Sequence, residues 1–456
     1  MSYLLILGGG ESGVGAALLA KKMNIPCRLS DSGTLKEVHR AELTRHSIAF
    51  EEGGHSTSWL TEVTEVIKSP GIPDSAPMIV EFRKRGISVI SEIEFAARYL
   101  SPENKIIAIT GSNGKTTTTT WLTHVLQKAG KDAIACGNIG VSLARLVAEA
   151  PHEYYVAELS SFQLDGTVNF HPHIAVVLNI TPDHLDRYEY KFEFYAQSKM
   201  RITRNLSEQD YFIYWQEDTF ITQTLQAMPP SYATLSFSLE GEGNAYLNSL
   251  NETLYFAPTD QLPAFSIAQK DLALMGKHNL LNAMAVGLAA RAMGVNNEAL
   301  YEALHHFVNV PHRIEPVGIV DGVLYINDSK ATNIQSTYYA LEAQTRPVIL
   351  VLGGTDKGND YSEIEELVRS RCKALIFMGV DNNKLHAFFD NKITDIRDAR
   401  SIDEMLHHAR TLSQTGDVVL LSPACASFDL FKNYEDRGDQ FRSKVQALIS
   451  STEKKA

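Results

Sequence analysis

One stretch constrains the fold more than any other. Lys105 to Thr110 (KIIAIT) is an apolar run of strand type. It leads directly into Gly111-Ser112-Asn113-Gly114-Lys115-Thr116-Thr117, which opens a helical segment reaching Gly130. Strand, glycine turn and helix in that order imply an α/β layer with parallel strands. Glycines let the backbone wrap a phosphate, and the N–H groups at the helix start point inward at it. Lys115 brings a positive charge for the outer phosphates, and Thr116 brings a hydroxyl for a Mg²⁺ ion. The spacing departs from GxxxxGK[ST], because Ile109 stands where the first glycine would be. A plain glycine turn capping a helix looks alike over so few residues, but the flanking strand and helix favour a nucleotide phosphate.

The remaining chain reads as more of the same architecture. At roughly 100–200 residues per domain, the 456 residues make two to four domains. Three α/β units emerge: 1–100, 101–312 and 313–456. The first opens on Tyr3 to Leu7, a glycine turn and an alanine-rich helix, and the polar stretch Tyr99 to Lys105 reads as a linker. In the second, Trp215 to Phe265 has short alternating runs expected to form hairpins at a sheet edge, and a helix then runs to Gly294. In the third, Asp321-Gly322 between two β-prone runs signals a hairpin.

Charge and cysteine usage exclude several classes. A net charge of -12 without a basic block argues against nucleic acid and anionic membranes. The four cysteines form no CxxC pair, so reduced thiols and a cytoplasmic setting are expected. The N-terminus has no signal-peptide pattern, and no run approaches the ~20 apolar residues of a membrane span.

Other polar islands sit at the ends of apolar runs. Gly8, Gly10 and Gly13 follow the first strand in GxGxxG spacing, and Asp31 follows the second. Alone this reads as a dinucleotide site or as a tight turn without ligand; with a phosphate loop downstream, another nucleotide-bearing ligand fits better. Glu158 to Gln163 and Asn179 to Arg187 stand at C-terminal strand ends, where open α/β sheets place ligands. Glu158 and His184 could ligate Mg²⁺, though a loop acid and a turn histidine look the same in sequence. Asn279 and Asn282 share a helix face, either as a cap or as a pair of amides for a nucleotide.

GSNGKTTTT, ELSSFQL, NITPDHLDRY, GKHNLLNAMA, PHRIE, NDSKATN and SPACASFDLFKNYEDRG occur in the order seen in Mur ligases and span most of the chain. The sequence resembles that family, and NDSKATN, GGTDKG and SPACASFDLFKNYEDRG resemble its D-glutamate-adding branch. The resemblance implies three domains: an N-terminal Rossmann-like one for a UDP-sugar, a central P-loop ATPase-type one and a C-terminal Rossmann-like one for an amino acid. It implies ATP and Mg²⁺, and UDP-N-acetylmuramoyl-L-alanine and D-glutamate as substrates of a monomer. Gly10, Ser12, Asp31, Gly71, Asn138 and Ser160 would then hold the UDP-sugar. Glu11 would lie beside its diphosphate, which repels a carboxylate unless the side chain points away. Gly111 to Thr117, Asn279, Asn282, Arg313 and Asp328 would hold ATP. Thr116, Glu158, His184 and a carbamylated Lys199 would hold Mg²⁺, with Lys115, His184 and Lys199 as the catalytic set. Lys330, Thr332, Lys357, Ser427, Phe428 and Tyr434 would shape the D-glutamate pocket. A nicotinamide oxidoreductase, a nucleotide-switch protein, a folylpolyglutamate synthase and another Mur ligase are the rival readings.

Overall fold

The computed structural model describes residues 2–453. Residues up to 273, together with 280–307, form one compact unit; residues 274–279, with 308 onward, form a second. The first unit contains two sheets and the second contains one.

The first sheet comprises β1 (Tyr3–Leu7), β2 (Cys27–Ser30), β3 (Ala49–Glu51), β4 (Val63–Lys68) and β5 (Ser88–Ile90). All are parallel, in the order β3-β2-β1-β4-β5. Central β1 is buried throughout, as an apolar run without alternation requires. The helix Glu11–Lys22 starts close behind it. A Cβ on Gly13 would sit 1.8 Å from the Gly8 carbonyl oxygen, so only glycine permits that approach. The chain order reverses between β1 and β4, which opens a crevice at their C-terminal ends.

The second sheet comprises β6 (Lys105–Thr110), β7 (Ala133–Gly137), β8 (Tyr154–Glu158), β9 (Ile174–Val177), β10 (Tyr211–Trp215), β11 (Ala233–Ser238), β12 (Ala245–Asn248), β13 (Thr253–Phe256) and β14 (Phe265–Ala268). Their order is β14-β13-β12-β11-β10-β9-β6-β8-β7, antiparallel only across β12, β13 and β14. Edge hairpins therefore exist, but the hairpin reading of the whole stretch from Trp215 needs correction. That stretch also holds the helix Thr219–Ala227 and the parallel strand β11. The helix is rich in Thr and Gln and fully buries only Ile221, so its apolar stripe is too thin to read.

The third sheet comprises β15 (Glu315–Val320), β16 (Val323–Asn327), β17 (Val348–Leu352), β18 (Cys372–Met378), β19 (Asp395–Ala399) and β20 (Val418–Leu421). Its order is β15-β16-β20-β17-β18-β19. The expected hairpin joins β15 to β16 through Asp321 (φ 50°) and Gly322 (φ 79°), two left-handed residues as a type I′ turn requires. The other pairings are parallel, so the loops after β16, β20 and β17 leave neighbouring strands at one end.

Within the first unit, one hydrophobic cluster runs from Leu4 and Ile6 to Ala108 and Val177. Polar ties reinforce it. Arg145 donates to both Glu11 (2.8 Å) and Glu42 (2.6 Å), Ala144 N–H donates to Glu92, and Glu94 accepts from the backbone of Val168, Asn169 and Phe170. Among the described residues no helix is long and apolar enough to cross a membrane.

Candidate active site

The glycine loop after β6 is tied down on its sheet side. Asn179, just past β9, accepts from Asn113 N–H through its side chain (2.9 Å) and returns a bond to the Asn113 carbonyl (3.1 Å). Ser112 donates its hydroxyl to the Thr181 carbonyl and receives the Thr181 N–H. Gly114 has φ 84°, and a Cβ there would lie 2.5 Å from the Asn282 carboxamide oxygen. Asn282 also accepts from Thr118 Oγ1 (3.1 Å), so it braces the first turn of the helix Lys115–Lys128. Thr116 and Thr117 are buried in that turn. Lys115 Nζ folds back onto the carbonyls of Gly111 (2.7 Å) and Ser112 (2.9 Å).

Lys199 lies on the helix Phe192–Met200, fully buried, and its Nζ donates to that same Gly111 carbonyl at 2.8 Å. Two lysine side chains thus converge on one oxygen. Burial, and then the charge of Lys115, hold the Lys199 amine well below the ordinary lysine range, against the pull of Asp183, Glu158 and Asp165. Glu158 ends β8, buried. Its Oε1 accepts from Asn138 Nδ2 (2.8 Å), while Oε2 is buried without a hydrogen-bond partner. An orphan carboxylate oxygen is a costly feature that a bound cation would relieve. His184 has φ 52°, packs edge-on against Phe162 and is partly exposed. Thr116 and Glu158 offer oxygen donors of the kind Mg²⁺ prefers, and the orphan Glu158 oxygen fits such an ion. Ser160 forms a capping box with Gln163, the ordinary helix-start role.

Beside these groups a cleft of about 460 Å³ lies at the C-terminal ends of β1 and β4. Gly10, Ser12, Asp31, Gly71 and Asn138 line it, with Gln163 at one side. Both carboxylate oxygens of Asp31 are engaged by backbone, from Gly9 N–H and Gly33 N–H, so it shapes the glycine turn. Glu11 also lines the cleft, but its oxygens are taken by Arg145 and Ser142, so its carboxylate is paired.

In the second unit, Asp328 follows β16 and accepts from Ser422 Oγ (2.7 Å) and Ile314 N–H (3.2 Å). Burial pushes its carboxyl up to about 7. Arg313 carries a buried Nε without a hydrogen-bond partner. Asn279 donates to the Met275 carbonyl (2.8 Å). Lys330 Nζ stands 5.2 Å over the Tyr434 ring. The loop after β17 pairs with the loop after β20 through Thr355 and Ala426, which brings the Lys357 turn beside the Ser427 loop. Ser427 is buried, Thr332 half-buried, and Lys357 and Phe428 are exposed.

Residues 2–91 match the Mur ligase MurD-like N-terminal domain, 109–290 the Mur ligase middle domain and 312–425 the Mur ligase glutamate ligase domain. The UDP-N-acetylmuramoylalanine--D-glutamate ligase of Porphyromonas gingivalis is 54% identical over 98% of each chain. The chain belongs to the Mur ligase family. Its three-domain α/β fold is also that of solved Mur ligases. MurC from Thermotoga maritima aligns over 98% of this chain and 100% of its own at TM-score 0.61 and 18% identity. MurF from Thermotoga maritima, in complex with ADP, aligns over 94% and 96% at TM-score 0.61 and 17% identity.

Some residues that build the site in this Mur ligase escaped the sequence reading. Asn179 was visible as a polar residue ending a buried strand, but nothing in sequence says that its side chain holds the glycine loop at Asn113. Ser422, which bonds Asp328, and Arg145, which turns Glu11 aside, act on partners 94 and 134 residues away.

Proposed function

We infer that this Mur ligase joins D-glutamate to UDP-N-acetylmuramoyl-L-alanine with cleavage of ATP, in cytoplasmic peptidoglycan-precursor synthesis, as a monomer. The observation that carries the reading is the likeness, across 98% of both chains, to a relative named for that reaction. The domains would be 1–100 for the UDP-sugar, 101–312 for ATP and 313–456 for the amino acid.

A carboxylate does not react with an amine, because oxide is a very poor leaving group. Here the substrate carboxylate attacks the γ-phosphorus of ATP, ADP leaves, and an acyl phosphate results. The D-glutamate amine, once deprotonated, then attacks the acyl carbon, and phosphate leaves with the carboxylate oxygen. Catalysis of the first step is positioning and charge neutralisation. Lys115 would leave the Gly111 carbonyl to meet the outer phosphates, and the N–H groups of the loop would cradle them. Mg²⁺, held by Thr116, Glu158 and His184, would neutralise phosphate charge. Asn138, at once in the cleft and on Glu158, would orient that carboxylate. Arg313, Asp328, Asn279 and Asn282 would serve the nucleotide, and Lys330, Thr332, Lys357, Ser427, Phe428 and Tyr434 the amino acid.

Lys199 would act as a carbamate. Only a neutral amine adds CO₂, with loss of a proton, and burial favours that form at Lys199; the product would place an anion beside Lys115. A ¹³C carbamate resonance after labelling with ¹³CO₂, absent in Lys199→Ala, is the expected result; no such resonance in active enzyme would rule the carbamate out.

The direct test is phosphate release with ATP, Mg²⁺ and the UDP-sugar across a panel of amino acids. Release only with D-glutamate, with a matching mass gain on the UDP-sugar, is expected. Release with another amino acid would overturn the reading of the third domain.

A further inference from the structure

The second unit holds a buried arginine that no step above uses. Arg437 lies in the first turn of the helix Tyr434–Glu453 and is 1% exposed. It forms no ion pair with a described carboxylate. Its Nε donates to Ser329 Oγ (2.9 Å), and its Nη2 donates to the Ser329 carbonyl (2.8 Å) and the Cys425 carbonyl (3.3 Å). Ser329 Oγ in turn donates to the Tyr434 carbonyl at 2.8 Å. Ser329 stands between Asp328 and Lys330 in the loop after β16, and Cys425 stands two residues before Ser427 in the loop after β20. One guanidinium therefore pins two neighbouring loops to the helix that begins at Tyr434. Burying an unpaired cation is costly, and Asp429 and Asp328 offset the cost only at longer range.

We propose that Arg437 is the positioning residue of the amino-acid pocket, setting the spacing of Lys330, Ser427 and Tyr434. The proposal rests on the assignment of D-glutamate to that pocket. An amino acid with two carboxylates needs donors at two fixed separations. A planar guanidinium can hold a hydroxyl and two carbonyls at once, and an ammonium on a flexible stem cannot reproduce that geometry. Misplacement by about 1 Å is enough to cost on the order of 100-fold in rate.

The test uses full-length Arg437→Lys and the milder Ser329→Ala, which removes the hydroxyl that Arg437 and Tyr434 share. Expected are a KM for D-glutamate raised on the order of tenfold or more in Arg437→Lys, within that positional cost, and less in Ser329→Ala. The preference for D-glutamate over D-aspartate should shrink in both, while the KM for the UDP-sugar stays unchanged. If both variants keep the wild-type D-glutamate KM and preference, Arg437 has no positioning role. If all KM values rise together with a lowered Tm in Ser329→Ala, its role is general support of the fold, and the proposal is overturned. Should Arg437→Lys not fold, Ser329→Ala decides. A wild-type enzyme indifferent to D-glutamate would instead remove the assignment beneath the proposal.

Discussion

Glu158 shows how one side chain can carry a chemical demand. Its Oε1 is occupied by Asn138 and its Oε2 is buried and unanswered, an arrangement that suits an absent positive charge. Glu158→Gln keeps the oxygen that Asn138 bonds but removes the charge. The expected outcome is a loss of activity of at least roughly 10–100-fold, the range that weakening a metal's outer shell alone produces. The Mg²⁺ concentration for half-maximal rate should rise in parallel. Initial rates across a Mg²⁺ titration check this, and an unchanged Mg²⁺ dependence would take Glu158 out of the metal's reach. Sequence supplied the residue type and the strand end; it could not supply the unpaired oxygen, which depends on what packs around it.

At the scale of elements, the seam between the helices Glu92–Ala97 and Leu143–Glu149 carries its own pH signature. Glu92 is fully buried and accepts from Ala144 N–H, and burial pushes its carboxyl up to about 8. The folded protein keeps this proton up to that pH, whereas an unfolded chain releases it near the ordinary 4.5. Between those values the folded state binds more protons, so stability falls as pH rises. At about 1.4 kcal/mol per pKa unit the loss amounts to a few kcal/mol by pH 8. Glu92→Gln retains the acceptor and cannot ionise. Its Tm should match or slightly differ from wild type at pH 5 and exceed it clearly at pH 8, by calorimetry at both pH values. A constant Tm difference would mean that Glu92 does not titrate in this window. The seam joins residues 52 apart and was invisible to periodicity.

For the molecule as a whole, substrates are assigned to different sheets, and kinetics can separate them. Asn138→Ala, in the cleft by the first two sheets, should raise the KM for the UDP-sugar. Lys357→Ala, on the loop after β17, should raise the KM for D-glutamate. Each loses an interaction of the class worth about 1.5–3 kcal/mol when a charge takes part, or roughly ten- to hundredfold, with Asn138 at the lower end. Steady-state rates with each substrate varied in turn check the split; the opposite pattern in either variant would reverse the assignment.

Sequence by itself determined the α/β class, three sheets that are mostly parallel, the strand–glycine loop–helix at Gly111 to Thr117 and the Asp321-Gly322 hairpin. Each of these is a local pattern: apolar runs that must be buried, and glycines at positions where the backbone turns left-handed. The linear order of motifs also sufficed to mark the family. Tertiary structure alone decided that Glu11 faces Arg145, that Asp31 braces a glycine turn, that Asn179 and Asn282 hold the loop before the helix Lys115–Lys128, and that Arg437 joins two loops to a helix. These are contacts between groups tens to more than a hundred residues apart. A side chain's charge and shape are written in the sequence, but its partner is fixed only when the sheets bring distant loops to one edge.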